Sequence, residues 1–173
     1  IGSAKVSNEQ SYYIRKFAAF LGTNNIDHQA RIWHSPTVAG VANTFGYGGM
    51  TNHIADMINS KFIFIIGANP AVNHPVSMVH ILRAKEAGAK IVCVDPYYSK
   101  TAAKANEFIR IRSGTDVALI YGMLNVIIAN NLYDKQYLQD RVYGYEEIFK
   151  EAKKYTPEIT ADITGIPADT IIR

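Results

Sequence analysis

Three apolar segments of the sequence are each followed by small or polar residues that could bind a ligand. The segments and the groups that follow them are 62–66 with Gly-Ala-Asn-Pro at 67–70, 91–94 with Asp-Pro-Tyr at 95–97, and 108–111 with Ser-Gly-Thr-Asp at 113–116. Gly67 and Gly114 allow a backbone to approach a ligand closely, and the amide of Asn69 can donate and accept hydrogen bonds. Asp95 could accept from ribose hydroxyls. Asp116 could accept two hydrogen bonds from a guanine edge, or it could simply cap a helix.

Each of these groups, taken alone, is more often structural, because Asp-Pro is a common turn and Gly-Thr-Asp a common helix start. Together, at successive strand ends of one sheet, they favour a nucleotide-like ligand, since ligands of open α/β sheets bind beyond the carboxyl ends of the strands. The chain contains neither G-x-G-x-x-G nor G-x-x-x-x-G-K-[ST]. Ordinary NAD and P-loop sites are therefore disfavoured.

A second candidate region is the polar segment 30–40, which contains His34. A histidine in a loop is more often a surface residue than a base, and the five histidines are not spaced as zinc ligands. The single cysteine, Cys93, lies inside an apolar segment and is interpreted as a small buried hydrophobe. One cysteine cannot supply a disulfide framework or a four-cysteine iron–sulfur site.

The elements that must position these residues follow from the apolar periodicity. Continuous apolar runs predict buried strands at 62–66 and 91–94, and a third strand is predicted at 108–111. Helical spacing predicts helices at about 7–21, 75–87, 101–105, 116–130, 134–140 and 145–154, with shorter turns at 157–164 and from 167 onward. Residues 23–49 read as a loop with at most a short helix. The alternation predicts an α/β fold, a doubly wound and mostly parallel sheet of dinucleotide-binding type with a helix-rich C-terminal part.

Composition limits the class of protein. The chain has 173 residues, of which 48% are hydrophobic and 19% charged, so a sizeable core is expected. The formal charge of +3 is small and the basic residues are scattered, which argues against nucleic acid as a partner. The chain contains no run of 18 apolar residues, so no membrane-spanning helix is predicted. The chain has no initiator Met and ends within a pattern, so it is expected to be an internal piece of a longer protein.

Several motifs, in order and over nearly the whole chain, resemble the large subunit of formate dehydrogenases in the molybdopterin oxidoreductase superfamily. They are Thr-Asn-Asn-Ile-Asp-His at 23–28, Ala-Arg-Ile-Trp-His-Ser-Pro-Thr-Val at 30–38, Thr-Phe-Gly-Tyr-Gly-Gly-Met-Thr-Asn at 44–52, Gly-Ala-Asn-Pro at 67–70, His-Pro at 74–75, Val-Asp-Pro at 94–96, and Arg-Ser-Gly-Thr-Asp at 112–116. The segment 31–38 is the one more specific to formate dehydrogenases.

The resemblance implies oxidation of formate to carbon dioxide at a molybdenum or tungsten centre held by two pterin guanine dinucleotides. His34 falls on the family's active-site histidine, which is expected to take the proton or steer formate. The positions that fall where the family contacts one dinucleotide are Gly67, Asn69, Asn73, Asp95, Ile111, Gly114 and Asp116.

Two positions depart from the family pattern. Trp33 stands where the family has selenocysteine or cysteine as the metal ligand, and an indole nitrogen is a donor only. Selenocysteine is encoded by UGA, one base from the tryptophan codon UGG, so Trp33 is interpreted as a stand-in for selenocysteine; the alternative is a true packing residue in an inactive relative. Tyr97 stands where the family often has an arginine that helps to hold the nucleotide.

The resemblance also implies parts that lie outside this chain. These are a [4Fe-4S] cluster, the other domains of the same subunit, and electron-transfer iron–sulfur and cytochrome subunits. Residues 1–32 are expected to belong to a neighbouring domain, and 33–173 to a dinucleotide-binding domain truncated at its C-terminus. The isolated chain is expected to be inactive. The residues at 50–53 and 111–114 resemble the periplasmic type of formate dehydrogenase more than the cytoplasmic type, so a periplasmic location is favoured.

Two other functions stay open at this point. One is a non-catalytic scaffold or binding subunit of a redox complex with the same fold, as loss of the metal ligand at Trp33 would predict. The other is an ordinary nucleotide-dependent enzyme of doubly wound fold, which the absent glycine fingerprint disfavours.

Overall fold

The computed structural model describes residues 2–173, which divide into two compact units, one ending at His53 and one spanning Ile54–Arg173. The strands are β1 (Phe62–Ile66), β2 (Lys90–Val94) and β3 (Glu107–Ile109). The helices are α1 (Asn8–Phe20), α2 (His34–Phe45), α3 (Pro70–Asn73), α4 (Pro75–Glu86), α5 (Asp116–Ala129), α6 (Lys135–Arg141), α7 (Tyr145–Ala152), α8 (Pro157–Thr164) and α9 (Ala168–Ile172), with 3-10 turns at Gln29–Arg31, Ile54–Asn59 and Ala102–Lys104.

The second unit contains a parallel sheet in the order β1-β2-β3. Phe62 pairs with Lys90 across the first two strands, and Val92 pairs with Glu107 across the second and third. Parallel neighbours need crossover connections, and α3 and α4 supply the one between β1 and β2. The predicted α/β fold with a parallel sheet is confirmed.

Two separate clusters of apolar residues cover the two faces of the sheet. One face packs against α4 through Ile65, Met78, Ile81, Ile91, Cys93 and Ala102. The other packs against α5, α8 and α9 through Val92, Val94, Ile111, Leu119, Ile166 and Ile171. Because alternate residues of a strand point to opposite faces, a strand covered on both sides must be apolar throughout. This explains the continuous apolar runs and confirms the doubly wound arrangement.

The third strand ends earlier than predicted. The sequence predicted a strand over 108–111, but β3 ends at Ile109. Beyond it, the backbone N–H of Arg112 donates to the carbonyl of Thr164 at 2.9 Å, so the chain leaves the sheet and bonds to the end of α8. Apolar content alone could not show this change of hydrogen-bond partner.

The first unit contains more helix than predicted. Its first helix begins as expected, because Ser7 and Gln10 form a capping box. Residues 34–45, however, form α2, a helix of 12 residues, where the sequence predicted a loop that could include a short helix. Pro36 is tolerated in its first turn, and Gly46, with φ 81°, ends it in the left-handed conformation. The predicted domain boundary between residues 32 and 33 lies inside this unit and stays a prediction.

Among residues 2–173, no helix is both long enough and apolar enough to cross a lipid bilayer.

Candidate functional site

The first strand-end group is held by a buried threonine. The hydroxyl of Thr101, which is 0% exposed, donates to Oδ1 of Asn69 at 2.7 Å and accepts from the backbone N–H of Ala71 at 3.0 Å. The carbonyl of Asn69 accepts from the N–H groups of Val72 and Asn73, both at 3.0 Å. A single hydrogen bond, from Thr101 to Oδ1, therefore holds the Asn69 side chain, while the main-chain carbonyl of Asn69 is bonded within the first turn of α3.

The second group is a turn built on Asp95. Its Oδ1 accepts from the backbone N–H of Tyr97 at 2.8 Å, which leaves its second carboxylate oxygen for another donor. Arg110 donates from Nε to the carbonyl of Pro96 at 3.2 Å and so ties this turn to the residue after β3. Asp95 can therefore stabilise the turn and also bind a ligand, because the turn uses only one of its two carboxylate oxygens.

The third group opens α5. Gly114 has φ 79°, and Thr115 donates from its hydroxyl to the carbonyl of Arg112 at 2.6 Å. Thr115 occupies the cap position without a side-chain cap bond, and Asp116 is the exposed first residue of α5. The Asp116 carboxylate makes no hydrogen bond or ion pair with residues 2–173. Both of its oxygens are open to a ligand with two neighbouring donors.

Backbone hydrogen bonds bring the first two groups to one edge of the sheet. The N–H of Gly67 donates to the carbonyl of Val94 at 3.0 Å, and the N–H of Asp95 donates to the carbonyl of Ile109 at 3.2 Å. Gly67 has φ 58°, and a Cβ at this position or at Gly114 would meet no heavy atom within 4 Å. The backbone at both glycines is therefore open on the side where a side chain would lie.

Two further residues from the resemblance differ in what they offer. Asn73 is exposed at the end of α3, so its amide can reach a ligand. Ile111 is 3% exposed and packs in the core with Leu119 and Ile166. Its side chain is therefore occupied in packing, and only its main chain could contact a ligand.

In the first unit, Trp33 precedes α2 and His34 is its first residue. Trp33 is 60% exposed, and the side chain of His34 is exposed too. Neighbouring Arg31 donates to Asp27 at 2.9 Å. This hydrogen bond holds the pKa of Asp27 below its usual range, with help from the backbone N–H of His28 and against a small opposing effect of burial.

Cys93 lies beneath the second group and is fully buried. Burial raises the pKa of its thiol, the nearby charge of Asp95 raises it further, and a hydrogen bond with Ser99 opposes both. The thiol is therefore held neutral. This agrees with its interpretation as a small core residue.

Sequence reasoning missed two supporting residues. Thr101 lies in a segment predicted only as a short helix, and nothing in its type or spacing indicates that it meets Asn69. Arg112 donates from one guanidinium nitrogen to the carbonyls of Asp162 and Ile163, at 2.9 and 2.7 Å. These carbonyls lie near the C-terminal end of α8, where an arginine favourably meets the helix dipole. Arg112 belongs to the motif at 112–116, which marked it as a residue of interest, but the motif did not indicate its contact with α8.

The model of the molybdopterin oxidoreductase family matches residues 1–166. The chain belongs to this family. It is 46% identical over 98% of its length to the alpha subunit of the F420-dependent formate dehydrogenase of Methanocaldococcus jannaschii, and 43% identical over 98% to formate dehydrogenase H of Escherichia coli. It covers 25% and 24% of those two proteins.

Among solved structures, acetylene hydratase from Pelobacter acetylenicus is similar, with a TM-score of 0.72 and 31% sequence identity. The match covers 92% of this chain and 22% of the hydratase chain. The chain thus spans about a quarter of the length of the proteins it resembles. The family implies a molybdopterin cofactor with molybdenum or tungsten.

The residues that follow the strands of the second unit present groups that could bind a polar ligand. They offer open backbone at Gly67 and Gly114, amide donors at Asn69, and unpaired carboxylate oxygens at Asp95 and Asp116. Position 33 does not fit the metal, because tryptophan has no soft anionic atom with which to bind it. Nor does any group of three or more His, Cys, Asp or Glu residues within 2–173 form a metal site.

Proposed function

We propose that this chain is part of the catalytic subunit of a formate dehydrogenase and binds one pterin guanine dinucleotide along its strand ends. The observation that carries the proposal is the set of open donors and acceptors at the carboxyl edge of the sheet. The similarity to two proteins named formate dehydrogenase, at 46% and 43% identity, supports formate as the substrate. The cofactor, when bound, supplies the two-electron chemistry that converts formate to carbon dioxide.

The chain's own residues would bind and orient the dinucleotide. Asp116 accepts from the two neighbouring N–H donors of a guanine edge, which adenine lacks, and so selects the base. Asp95 accepts from a ribose hydroxyl with the oxygen that its turn leaves open. The main chain at Gly67 and Gly114 lets the ligand lie close, while Asn69 and Asn73 offer amide groups.

His34 would take up the proton that formate loses or steer formate. A ring nitrogen of imidazole can accept a proton, and this side chain is exposed at the start of α2. The proposal also holds that Trp33 stands in for selenocysteine. The segment around it is otherwise like that of formate dehydrogenases, and UGA and UGG differ by one base.

The remaining assignments follow the same resemblance. The longer protein would hold a [4Fe-4S] cluster outside this chain, and residues 1–32 would belong to a domain other than that formed by 33–173. The electrons taken from formate would pass to iron–sulfur and cytochrome subunits. A periplasmic location is favoured for the longer protein. Because one relative is named F420-dependent, F420 is a second candidate acceptor.

A non-catalytic scaffold is the competing function, and tryptophan at position 33 is the observation that favours it. The similarity to acetylene hydratase adds that a chain of this fold need not belong to a dehydrogenase. The codon for residue 33 in the natural gene and transcript separates the two functions. UGA with an insertion signal for selenocysteine supports the formate dehydrogenase, whereas UGG removes the metal ligand and favours the scaffold.

Binding of the nucleotide is tested by titrating the chain with GDP and with ADP. We expect GDP to bind more tightly, and Asp116→Asn to weaken GDP by at least about tenfold because two hydrogen bonds to a charged acceptor are disturbed. Asp169→Asn, at the exposed first turn of α9, is the matched control and should leave GDP binding unchanged. Equal affinity for ADP and GDP would contradict the assignment of Asp116. The isolated chain should not reduce a dye with formate.

A further inference from the structure

The hydrogen bonds of Thr101 determine which way the Asn69 amide faces. A threonine hydroxyl has one hydrogen to donate. Thr101 accepts from the N–H of Ala71 at 3.0 Å and donates its own hydrogen to Oδ1 of Asn69 at 2.7 Å. The Asn69 carbonyl oxygen therefore faces Thr101, and a turned amide would replace this acceptor with an NH2 group, which cannot accept the hydroxyl hydrogen. The bonding pattern itself sets the orientation of the amide.

The consequence is that the Asn69 NH2 group lies on the side away from Thr101. It has no partner among residues 2–173, and Asn69 is partly exposed at the end of β1. Thr101 is 0% exposed and forms part of the buried layer that includes Ser99 and Ala102. The Asn69 amide, held by the buried hydroxyl of Thr101, thus presents two unpaired N–H donors at the open edge of the sheet.

We propose that Thr101 is a positioning residue that makes Asn69 a hydrogen-bond donor to an oxygen of the bound nucleotide. This rests on the proposed function, since it deepens the binding of the dinucleotide at the strand ends. Without the hydroxyl, the amide would be free to turn, and part of the population would present its carbonyl oxygen to the ligand. An oxygen facing a phosphate or ribose oxygen acceptor would weaken binding rather than support it.

The orientation can be measured without ligand by NMR of the full chain. We expect the Asn69 NH2 protons to show no strong nuclear Overhauser effect to the Thr101 side chain, and we expect Thr101→Val to introduce one as the amide turns. A strong effect between these groups in the unsubstituted protein would overturn the proposed orientation.

The consequence for binding is measured by GDP titration of three variants. Thr101→Val should weaken GDP binding by about three- to tenfold, the range expected for one lost hydrogen bond. Thr101→Ser, which keeps the hydroxyl, should restore affinity. Asn69→Asp keeps an oxygen for Thr101 but replaces the outward donor with an acceptor, so it should reduce binding at least as much, with the fold intact by circular dichroism.

Thr160→Val is the matched control. Thr160 is also 0% exposed and donates from its hydroxyl to the carbonyl of Tyr155 at 3.5 Å, but it forms no hydrogen bond with Asn69 or with residues 110–116. We expect a loss of stability like that of Thr101→Val with GDP affinity unchanged. Equal loss of affinity in both valine variants would make the effect a general one of stability and overturn the role of Thr101.

The two proposals fail in different ways. If the unsubstituted chain binds GDP and Thr101→Val binds it equally well, the positioning role is wrong while the nucleotide site stands. If the unsubstituted chain does not bind GDP, the proposed function is wrong, and the nuclear Overhauser effects still decide whether Thr101 orients Asn69.

Discussion

The two units of this chain bury their apolar residues to very different extents. Ile54–Arg173 covers both faces of a sheet and contains nearly all of the buried core. Among the residues that the structure describes, the unit that ends at His53 has one buried apolar residue, Ala18, and it exposes most of its large apolar side chains. These are Tyr12, Tyr13, Ile14, Phe17, Phe20, Leu21, Ile26, Ile32, Trp33, Phe45, Tyr47 and Met50.

The difference teaches how each unit can hold functional residues. In Ile54–Arg173, the sheet and its core fix Asn69 and Asp95 through hydrogen bonds of 2.7 to 3.2 Å. In the first unit, Trp33 and His34 stand exposed at the start of a helix. Apolar area this large is rarely left in water, so the first unit is expected to gain stability from other parts of the longer protein proposed above.

The largest change in the free energy of unfolding is expected when a core residue of the second unit is truncated. Ile91, at 0% exposure, contacts the core beneath α4, and Ile91→Ala should lower the free energy of unfolding by about 2–5 kcal/mol because it loses buried area and leaves a cavity. The control is Phe20→Ala in the first unit, where the ring is 86% exposed and about 0.5 kcal/mol or less is expected. Urea unfolding followed by circular dichroism measures both, and equal losses would refute the comparison.

A smaller effect is expected where α5 crosses α8. Gly122 is buried there, and a Cβ at this position would overlap the side chain of Thr160. Gly122→Ala should therefore cost about 1–3 kcal/mol through overpacking. Thr160→Ala in the same background should recover part of the loss, because it removes the atoms that overlap. An alanine variant as stable as the parent would show that the crossing can open without cost.

In the first unit, the expected effect is local. Ser7→Ala removes the side-chain acceptor of the capping box and should destabilise α1 by about 1 kcal/mol. Faster amide hydrogen exchange across Asn8–Phe20, with no change in β1 to β3, is the expected observation. Faster exchange in the sheet as well would mean that the two units unfold together.

The smallest effect concerns pH. The hydrogen bond from Arg31 lowers the pKa of Asp27, so its stabilising contribution is complete above the ordinary aspartate pKa of 3.8 and is lost as pH falls through the lower pKa of the folded state. NMR titration should show Asp27 titrating below an ordinary aspartate, and Arg31→Leu should move its pKa back up. A titration unchanged by Arg31→Leu would contradict the ion pair.

Most elements of Ile54–Arg173 could be predicted from the sequence. The run 62–66 matches β1 residue for residue, and the predicted helix ends at 87 and 130 lie within one residue of the ends of α4 and α5. Continuous apolar runs and helix ends are local signals. They predict the elements correctly here because the packing of the core favours the same local structure. The prediction failed for α2, because its composition of Ser, Pro, Thr, Gly and Asn carries no clear period.

The sequence by itself determined β1, β2 and the polar residues that follow each strand, because these depend on neighbours along the chain. Tertiary structure decided what each polar residue can do. The bond between Asn69 and Thr101 joins residues 32 positions apart, and that between Arg112 and Asp162 joins residues 50 apart. Such pairs form only when the sheet and its crossovers bring distant segments together, and no spacing along the chain encodes them.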